Sequence, residues 1–124
     1  MSELEEIDNF SQIFKENTPL LDIRAPIEFA DGSFPSALNH PLMTNEERHQ
    51  IGICYKDKGQ ESAIKLGHEL VKGPLKEQRI GNWLNFVNKH PSGALYCFRG
   101  GLRSKIAQEW IYEQSGISFP RIKG

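Results

Sequence analysis

The stretch Leu95-Tyr96-Cys97-Phe98-Arg99-Gly100-Gly101-Leu102-Arg103-Ser104 decides how this chain is interpreted. The apolar segment Ala94–Cys97 predicts a buried strand that ends at a cysteine, and the spacing of apolar residues after Ser104 predicts a helix. A loop that joins the end of a strand to the N-terminus of a helix can direct several backbone N–H groups toward one point, which here is the Cys97 sulfur. The stretch therefore predicts an anion-binding loop built around a nucleophile.

This loop is expected to favour the thiolate of Cys97, which is the nucleophilic form of cysteine. The backbone N–H groups of residues 98–103, the positive end of the following helix and the side chains of Arg99 and Arg103 all bring positive charge to the sulfur. Gly100 and Gly101 permit positive φ angles and the close approach of a ligand. Cysteine phosphatases bind phosphate in a loop of this spacing, and sulfurtransferases hold a persulfide, Cys–S–SH, in one. The loop alone leaves both chemistries open.

Short apolar segments alternate with amphipathic helices, which predicts an α/β fold with a central, mainly parallel sheet flanked by helices. Thr44 followed by Glu47 forms a capping-box pattern. Functional sites in parallel sheets lie at the C-terminal ends of strands, where Cys97 falls. The predicted strands are Leu20–Ile23, Ala37–His40, Ala94–Cys97 and Ser118–Ile122. The predicted helices are Ser2–Glu16, Pro26–Ala30, Thr44 to about Tyr55, Glu61–Val71, Leu75–Asn88 and Ser104–Gln114, with a turn at Lys56–Gly59 and a stop signal at Gly73-Pro74.

Composition limits the class of protein. A length of 124 residues fits one domain, and a formal net charge of −1 gives no general signal for binding polyanions. No apolar run approaches the roughly 18 residues that span a membrane, and the acidic N-terminus lacks the regions of a signal peptide. We therefore expect a cytoplasmic protein without a membrane partner, in which Cys54 and Cys97 are free thiols.

A second segment adds a resemblance to a known family. Leu21-Asp22-Ile23-Arg24-Ala25-Pro26-Ile27-Glu28-Phe29 resembles the N-terminal signature of rhodanese-like domains, in which Asp-Ile-Arg ends a strand and a glutamate follows four residues later. With further segments and the Cys97 loop, the chain resembles the N-terminal rhodanese domain of bacterial tRNA 2-selenouridine synthases over nearly all its length after the first predicted helix. The further segments are residues 34–43, 45–48, 52–56, 66–70 and 120–124.

The resemblance implies both a fold and an activity. The family replaces the sulfur of 2-thiouridine at the wobble position of tRNA with selenium, using selenophosphate as the donor. Cys97 would carry sulfur or selenium as a persulfide or perselenide, with no bound cofactor. The partners would be this tRNA and selenophosphate or another sulfur donor. The cradle would consist of Phe98, Arg99, Gly100, Gly101, Leu102 and Arg103.

The family also has a larger domain with a phosphate-binding loop. The pattern Gly-x-x-x-x-Gly-Lys-Ser/Thr does not occur in this sequence. Residues 1–124 are therefore expected to form a single rhodanese-like domain, either isolated or in a shortened relative. Full tRNA modification is expected to need the absent domain.

Asp22, Arg24 and Glu28 are expected to support the site. Arg24 and Glu28 are predicted to pair, and Arg24 is the member expected to reach the Cys97 pocket. Cys54 is interpreted either as a core or helix-end thiol or as a second thiol that resolves a Cys97 persulfide. His40 is a candidate for the pocket wall, but no histidine has zinc-site spacing to a cysteine, so no metal site is expected. Trp83 and Trp110 are predicted to lie in the core.

Two alternatives remain open at this stage. A cysteine phosphatase would need a general acid on a loop, for which Asp57 is the only candidate. A rhodanese-like docking module would keep Cys97 catalytically idle. The scattered basic residues predict a solvated surface, unless some of them converge with Arg99, Arg103 and Arg121 into a patch that faces tRNA. These basic residues are Lys65, Lys72, Lys76, Arg79, Lys89 and Lys105.

Overall fold

A parallel β-sheet forms the centre of the molecule, whose computed structural model describes residues 6–7, 16–97 and 101–122. Within these residues the sheet has five strands in the order β1-β5-β4-β2-β3, and every pairing between neighbours is parallel. The strands are β1 (Glu6–Ile7), β2 (Leu20–Asp22), β3 (Ala37–Asn39), β4 (Ala94–Tyr96) and β5 (Arg121–Ile122). The predicted α/β fold with a mainly parallel sheet is confirmed.

Helices connect the strands, as parallel pairing requires. They are α1 (Pro26–Asp31), α2 (Asn45–Lys58), α3 (Gln60–Leu70), α4 (Gly73–Lys89) and α5 (Leu102–Ser115). The capping box at α2 is confirmed, because Glu47 N donates to Thr44 Oγ1 at 3.1 Å and Thr44 N donates to Glu47 Oε1 at 2.9 Å. Each described helix or strand matches a predicted one except β1.

The alternation of side chains along β2 and β4 separates two layers of core. Leu21 and Leu95 face a large cluster that includes Trp83 of α4 and Trp110 of α5, whose rings stack with centroids 6.2 Å apart. The predicted core position of both tryptophans is confirmed. The opposite face of the sheet buries a smaller cluster that includes Leu20 and Tyr96. Cys97 follows Leu95 by two residues and belongs to the large cluster.

An ion pair ties α4 to α2. The Arg79 guanidinium donates to both carboxylate oxygens of Glu47, at 2.7 and 3.2 Å, and also to the carbonyl oxygen of Leu42. Burial by itself would raise the pKa of Glu47, but the hydrogen bonds and charge of Arg79, together with the Thr44 backbone, lower it. Arg79 is therefore a structural tie between helices, contrary to the prediction that it belongs to the solvated surface.

Two of the predicted local structures are wrong. Glu6–Ile7 pairs with Arg121–Ile122 as an edge strand, so the predicted helix Ser2–Glu16 fails there, and residues 8–15 lie outside the described part of the chain. The predicted turn at Lys56–Gly59 is helical as far as Lys58. The stop signal at Gly73-Pro74 is confirmed, because α3 ends at Leu70. The same pair begins α4, since proline fits the first turn of a helix, where its missing N–H costs nothing.

Candidate active site

Cys97 lies immediately after β4, at the C-terminal edge of the sheet, and its side chain is buried. The backbone N–H of Ser104 donates to Cys97 Sγ at an N···S distance of 3.2 Å. Ser104 is the third residue of α5, and the N–H groups of the first turn of a helix have no partner within the helix. The sulfur therefore accepts a hydrogen bond from one of these N–H groups and lies at the positive end of the α5 dipole.

Gly101 and Ser104 shape the beginning of α5. Gly101 has φ +73°, a left-handed conformation that favours glycine, and it occupies the N-cap position. Its carbonyl oxygen accepts a hydrogen bond from the buried Ser104 hydroxyl at 3.0 Å. Phe98, Arg99 and Gly100, which are also predicted to form the cradle, lie outside the described residues. Their role and that of Leu102, the first residue of α5, stay predictions.

Arg103 binds Glu28 in a bidentate ion pair. Its Nη1 and Nη2 atoms donate to Glu28 Oε1 and Oε2 at 2.6 and 3.1 Å, and Arg48 Nε lies 3.0 Å from Oε1 of the same carboxylate. Burial of the Glu28 carboxyl would raise its pKa, but the hydrogen bonds and charge of Arg103, with the charge of Arg48, lower it. Glu28 thus fixes two arginines next to the N-terminus of α5. The binding of an anion by Arg103 stays a prediction.

Asp22, Arg24 and Tyr96 form a separate buried cluster. Arg24 Nη2 and the Tyr96 hydroxyl donate to Asp22 Oδ2 at 2.7 and 2.8 Å, and Arg24 Nε and the Arg24 backbone N–H also donate to this carboxylate. Burial raises the pKa of Tyr96, and the hydrogen bond to the Asp22 carboxylate raises it further. Burial would lower the pKa of Arg24, but Asp22 raises it overall.

The predicted pairing of Arg24 with Glu28 is wrong, because Arg24 pairs with Asp22 and Glu28 pairs with Arg103 and Arg48. The expected reach of Arg24 into the Cys97 pocket stays a prediction. Asp22 and Tyr96 are register partners whose side chains face the smaller core cluster, on the opposite side of the sheet from Cys97. Arg24 is held on that side by Asp22 and by a 2.7 Å hydrogen bond to the carbonyl oxygen of Gly32. In the part of the chain that the structure describes, Glu28 pairs with Arg103 at the α5 N-terminus, whereas Asp22 and Arg24 pair with each other in the buried cluster.

Cys54 lies on α2, half-buried, and lines a groove between α2 and α3. Asp57 lines the same groove, and Cys97 does not. Asp57 therefore gives the phosphatase interpretation no general acid beside Cys97. No disulfide joins the two cysteines, and a relay between them stays a prediction.

The histidines have different surroundings. His40 contributes backbone atoms, since its carbonyl oxygen accepts the indole N–H of Trp83 at 2.7 Å. His68 lies against the ring of Trp110, with the centroids 5.9 Å apart. In the described residues, no three histidine, cysteine, aspartate or glutamate side chains form a group that could hold a metal ion. None of the helices described is long and apolar enough to cross a membrane.

Two cavities that the sequence does not predict lie at the junction of α2 and α5. One is a groove of about 540 Å³ whose walls include Arg48, Tyr55 and Arg103, and the other is an apolar cavity of about 140 Å³ beside it. Met43, Ile51, Tyr55, Leu102 and Arg103 line both. No contiguous motif marks these cavities, because their walls come from segments some 50 residues apart in sequence.

This chain is similar in sequence to several curated proteins. No family model matches the chain. A tRNA 2-selenouridine synthase of Marinobacter nauticus is 56% identical over 124 residues, covering 100% of this chain and 34% of that protein. Proteins of the same name from Cupriavidus pinatubonensis and Azotobacter vinelandii are each 54% identical, over 97% and 94% of this chain and 33% and 31% of their own lengths. The chain thus spans about a third of the length of the curated relatives it matches.

A solved structure shares the fold. The N-terminal domain of a protein described as ATP/GTP binding, from Clostridium difficile 630, superimposes with a TM-score of 0.73 at 22% identity, over 98% of this chain and 92% of that domain. The parallel sheet, with a cysteine directly after its central strand β4 and with the N-terminus of α5 against the cysteine sulfur, defines a rhodanese-like α/β domain. By sequence, this domain is similar over nearly its whole length to about a third of proteins named tRNA 2-selenouridine synthase.

Proposed function

We propose that this domain carries sulfur and then selenium on Cys97, as the chalcogen-transfer part of a tRNA 2-selenouridine synthase. The observation that supports the proposal most strongly is the 3.2 Å contact between the Ser104 N–H and Cys97 Sγ at the N-terminus of α5. A persulfide or perselenide on Cys97 is anionic when deprotonated. Backbone N–H groups and a helix dipole stabilise such a charge without any metal or cofactor.

Loading with sulfur is a simple displacement. The Cys97 thiolate attacks the outer sulfur of thiosulfate, a new S–S bond forms, and the S–S bond of thiosulfate breaks as its electron pair leaves with sulfite. The product is a persulfide on Cys97. This reaction needs no further oxidant, because the departing sulfite takes both electrons.

Loading with selenium then proceeds by exchange on the persulfide. Selenophosphate holds selenium at the oxidation level of selenide, so a bare thiolate cannot form an S–Se bond with it unless an oxidant is present. Hydroselenide released from selenophosphate, with phosphate as the other product, attacks the inner sulfur of the Cys97 persulfide. The S–Se bond forms, the S–S bond breaks and hydrosulfide leaves, which is the selenium counterpart of thiol–disulfide exchange.

The acceptor in this proposal is tRNA with 2-thiouridine at the wobble position, whose sulfur is replaced by selenium. The names of the relatives support tRNA modification with selenium. The relatives are about three times as long as this chain. We therefore assign the complete exchange on tRNA to proteins of the length of these relatives. The described residues supply the chalcogen carrier.

Intact-mass spectrometry tests the carrier directly. After thiosulfate, the wild-type chain should gain the mass of one sulfur atom, and selenophosphate added next should replace that sulfur with selenium. Dithiothreitol should remove either adduct. Cys97→Ser should gain nothing, whereas the matched control Cys54→Ser should still load.

An equal mass gain in Cys97→Ser would contradict the assignment of Cys97. The absence of any adduct on the wild-type chain would also contradict it and would favour a phosphatase or a docking module. Hydrolysis of an aryl phosphate that depends on Cys97 would then identify the phosphatase.

A further inference from the structure

The groove between α2 and α5 is an exposed surface that the chemistry of Cys97 does not use. Residues 48–56 of α2 form one wall and the first residues of α5 form the other. Leu102 and Arg103, at the α5 wall, immediately precede the Ser104 N–H that binds the Cys97 sulfur. A molecule in this groove would therefore lie beside the helix N-terminus that holds the sulfur.

The groove exposes a large aromatic ring to solvent. The side chain of Tyr55 is 59% exposed, and its apolar neighbours Ile53 and Leu102 are 50% and 38% exposed. Buried aromatic rings stabilise this fold elsewhere, whereas the Tyr55 ring lies on the surface of a helix at the edge of a cavity. Such a ring is available to stack on a flat partner.

The charged side chains of the groove are all basic. Arg48, Lys56 and Arg103 line it, together with His49, and no carboxylate is among its described lining residues. Glu28 lies behind the groove and pairs with both arginines. Three fixed cations against one carboxylate leave an excess of two positive charges, on a chain whose formal net charge is −1. This local excess favours a polyanionic partner.

An exposed aromatic ring within a basic groove is the arrangement that binds single-stranded nucleic acid, because the base stacks on the ring and the cations contact the phosphates. A volume of about 540 Å³ lies within the usual range for ligand sites. We propose that this groove binds the unpaired anticodon nucleotides of the tRNA, with Tyr55 as the stacking platform and Lys56 as a phosphate contact. This inference rests on the proposed function, because that function supplies RNA as the partner.

Binding of a fluorescently labelled RNA hairpin, with 2-thiouridine at the wobble position of its loop, tests the groove. Anisotropy titrations of the wild-type chain at several salt concentrations give the Kd and its salt dependence. Tyr55→Ala should weaken binding about tenfold or more, and Tyr55→Phe should restore it, because phenylalanine keeps the stacking face. Lys56→Gln should weaken binding and lower the slope of log K against log salt by about 0.7.

Matched controls lie on other surfaces. Tyr112 is an exposed tyrosine on α5 that does not line the groove, and Lys89 is an exposed lysine at the end of α4. Tyr112→Ala and Lys89→Gln should bind the hairpin as the wild-type chain does. A fully paired RNA duplex of the same length should bind more weakly than the hairpin, since it offers no unstacked base.

The inference is overturned if Tyr55→Ala binds as tightly as Tyr112→Ala, or if the wild-type chain does not bind the hairpin at low salt. Chalcogen loading of the wild-type chain is scored separately by mass and requires no RNA. If Cys97 loads but RNA binding does not depend on Tyr55, only the proposal for the groove is contradicted. If RNA binding depends on Tyr55 but the chain does not load, only the carrier role of Cys97 is contradicted.

Discussion

At the level of single residues, the contact between Ser104 N and Cys97 Sγ is the main support for the chemistry proposed for this domain. Its existence follows from local sequence, because a strand, a short loop with glycine and a helix must bring the first turn of that helix toward the residue that ends the strand. The partners of charged residues could not be predicted in this way. Glu28 and Arg103 are 75 residues apart in sequence. On local sequence alone, Glu28 could equally pair with other charged residues, such as the predicted partner Arg24.

Replacing the charge of Glu28 should make the fold less stable at neutral pH. Glu28→Gln removes the carboxylate that binds Arg103 and Arg48, and should lower the free energy of unfolding by about 1–2 kcal/mol. Because the folded protein lowers the pKa of Glu28, this stability is present above the unfolded pKa of about 4.3 and is lost as pH falls through the folded pKa. Urea unfolding of both proteins from neutral to acidic pH measures the difference.

The control for this experiment is Glu46→Gln, because Glu46 is exposed in the first turn of α2. The difference between Glu28→Gln and the wild type should shrink toward zero in acid. A difference that is the same at neutral and acidic pH would contradict an electrostatic role for Glu28.

Asp22 should matter for stability and not for loading of Cys97. Asp22→Asn replaces the carboxylate that Arg24 faces in a buried cluster, and should destabilise the fold by about 3–5 kcal/mol. Asp31→Asn, at the exposed end of α1, is the matched control. Urea midpoints measure both changes. Equal midpoints for the two variants would show that the cluster does not hold the sheet together.

At the level of elements, β4 follows directly after a glycine, Gly93, which tolerates no side chain. A Cβ atom on Gly93 would lie 2.6 Å from the Pro19 carbonyl oxygen and 3.2 Å from that of His90. The next residue, Ala94, donates its N–H to the same Pro19 oxygen at 3.0 Å. Close backbone packing at Gly93 therefore sets the position of β4 against β2.

Substitution of Gly93 can be compared with substitution of a second glycine, Gly81, which should change the free energy of unfolding in the opposite direction. Gly93→Ala should lower the free energy of unfolding by about 1–3 kcal/mol, because the backbone must shift to admit the methyl group. Gly81 lies inside α4 with open space around its Cβ position, so Gly81→Ala should raise stability by up to about 1 kcal/mol. Thermal melts of the two variants measure both effects. A melting temperature for Gly93→Ala at or above that of the wild type would contradict the packing argument.

The elements also show where sequence patterns succeed. The capping box at Thr44 and the apolar spacing of α4 are local signals, and both helices lie where these signals predict them. The same kind of spacing at Ser2–Glu16 predicts a helix across Glu6–Ile7, but these residues pair with β5. Tertiary pairing with a strand 115 residues away overrides the local preference there, and no local pattern could reveal it.

At the level of the whole molecule, the sheet separates the buried Asp22 cluster from Cys97, the residue proposed to react. Asp22, Arg24 and Tyr96 occupy one face, while Cys97 and the helices α4 and α5 occupy the other. The fold class, the position of Cys97 and the helix behind it could be predicted from the sequence. The basic groove could not, because Tyr55 and Arg103 come together only when α2 packs beside α5.

The most direct test of the central claim is to locate the chalcogen on the wild-type chain. The protein is loaded with thiosulfate, its thiols and persulfides are trapped with iodoacetamide, and the digested peptides are sequenced by tandem mass spectrometry. We predict a trapped persulfide on the peptide that contains Cys97 and a simple alkylated thiol on the peptide that contains Cys54. A persulfide on Cys54, with Cys97 recovered only as an alkylated thiol, would contradict the assignment of Cys97 as the carrier.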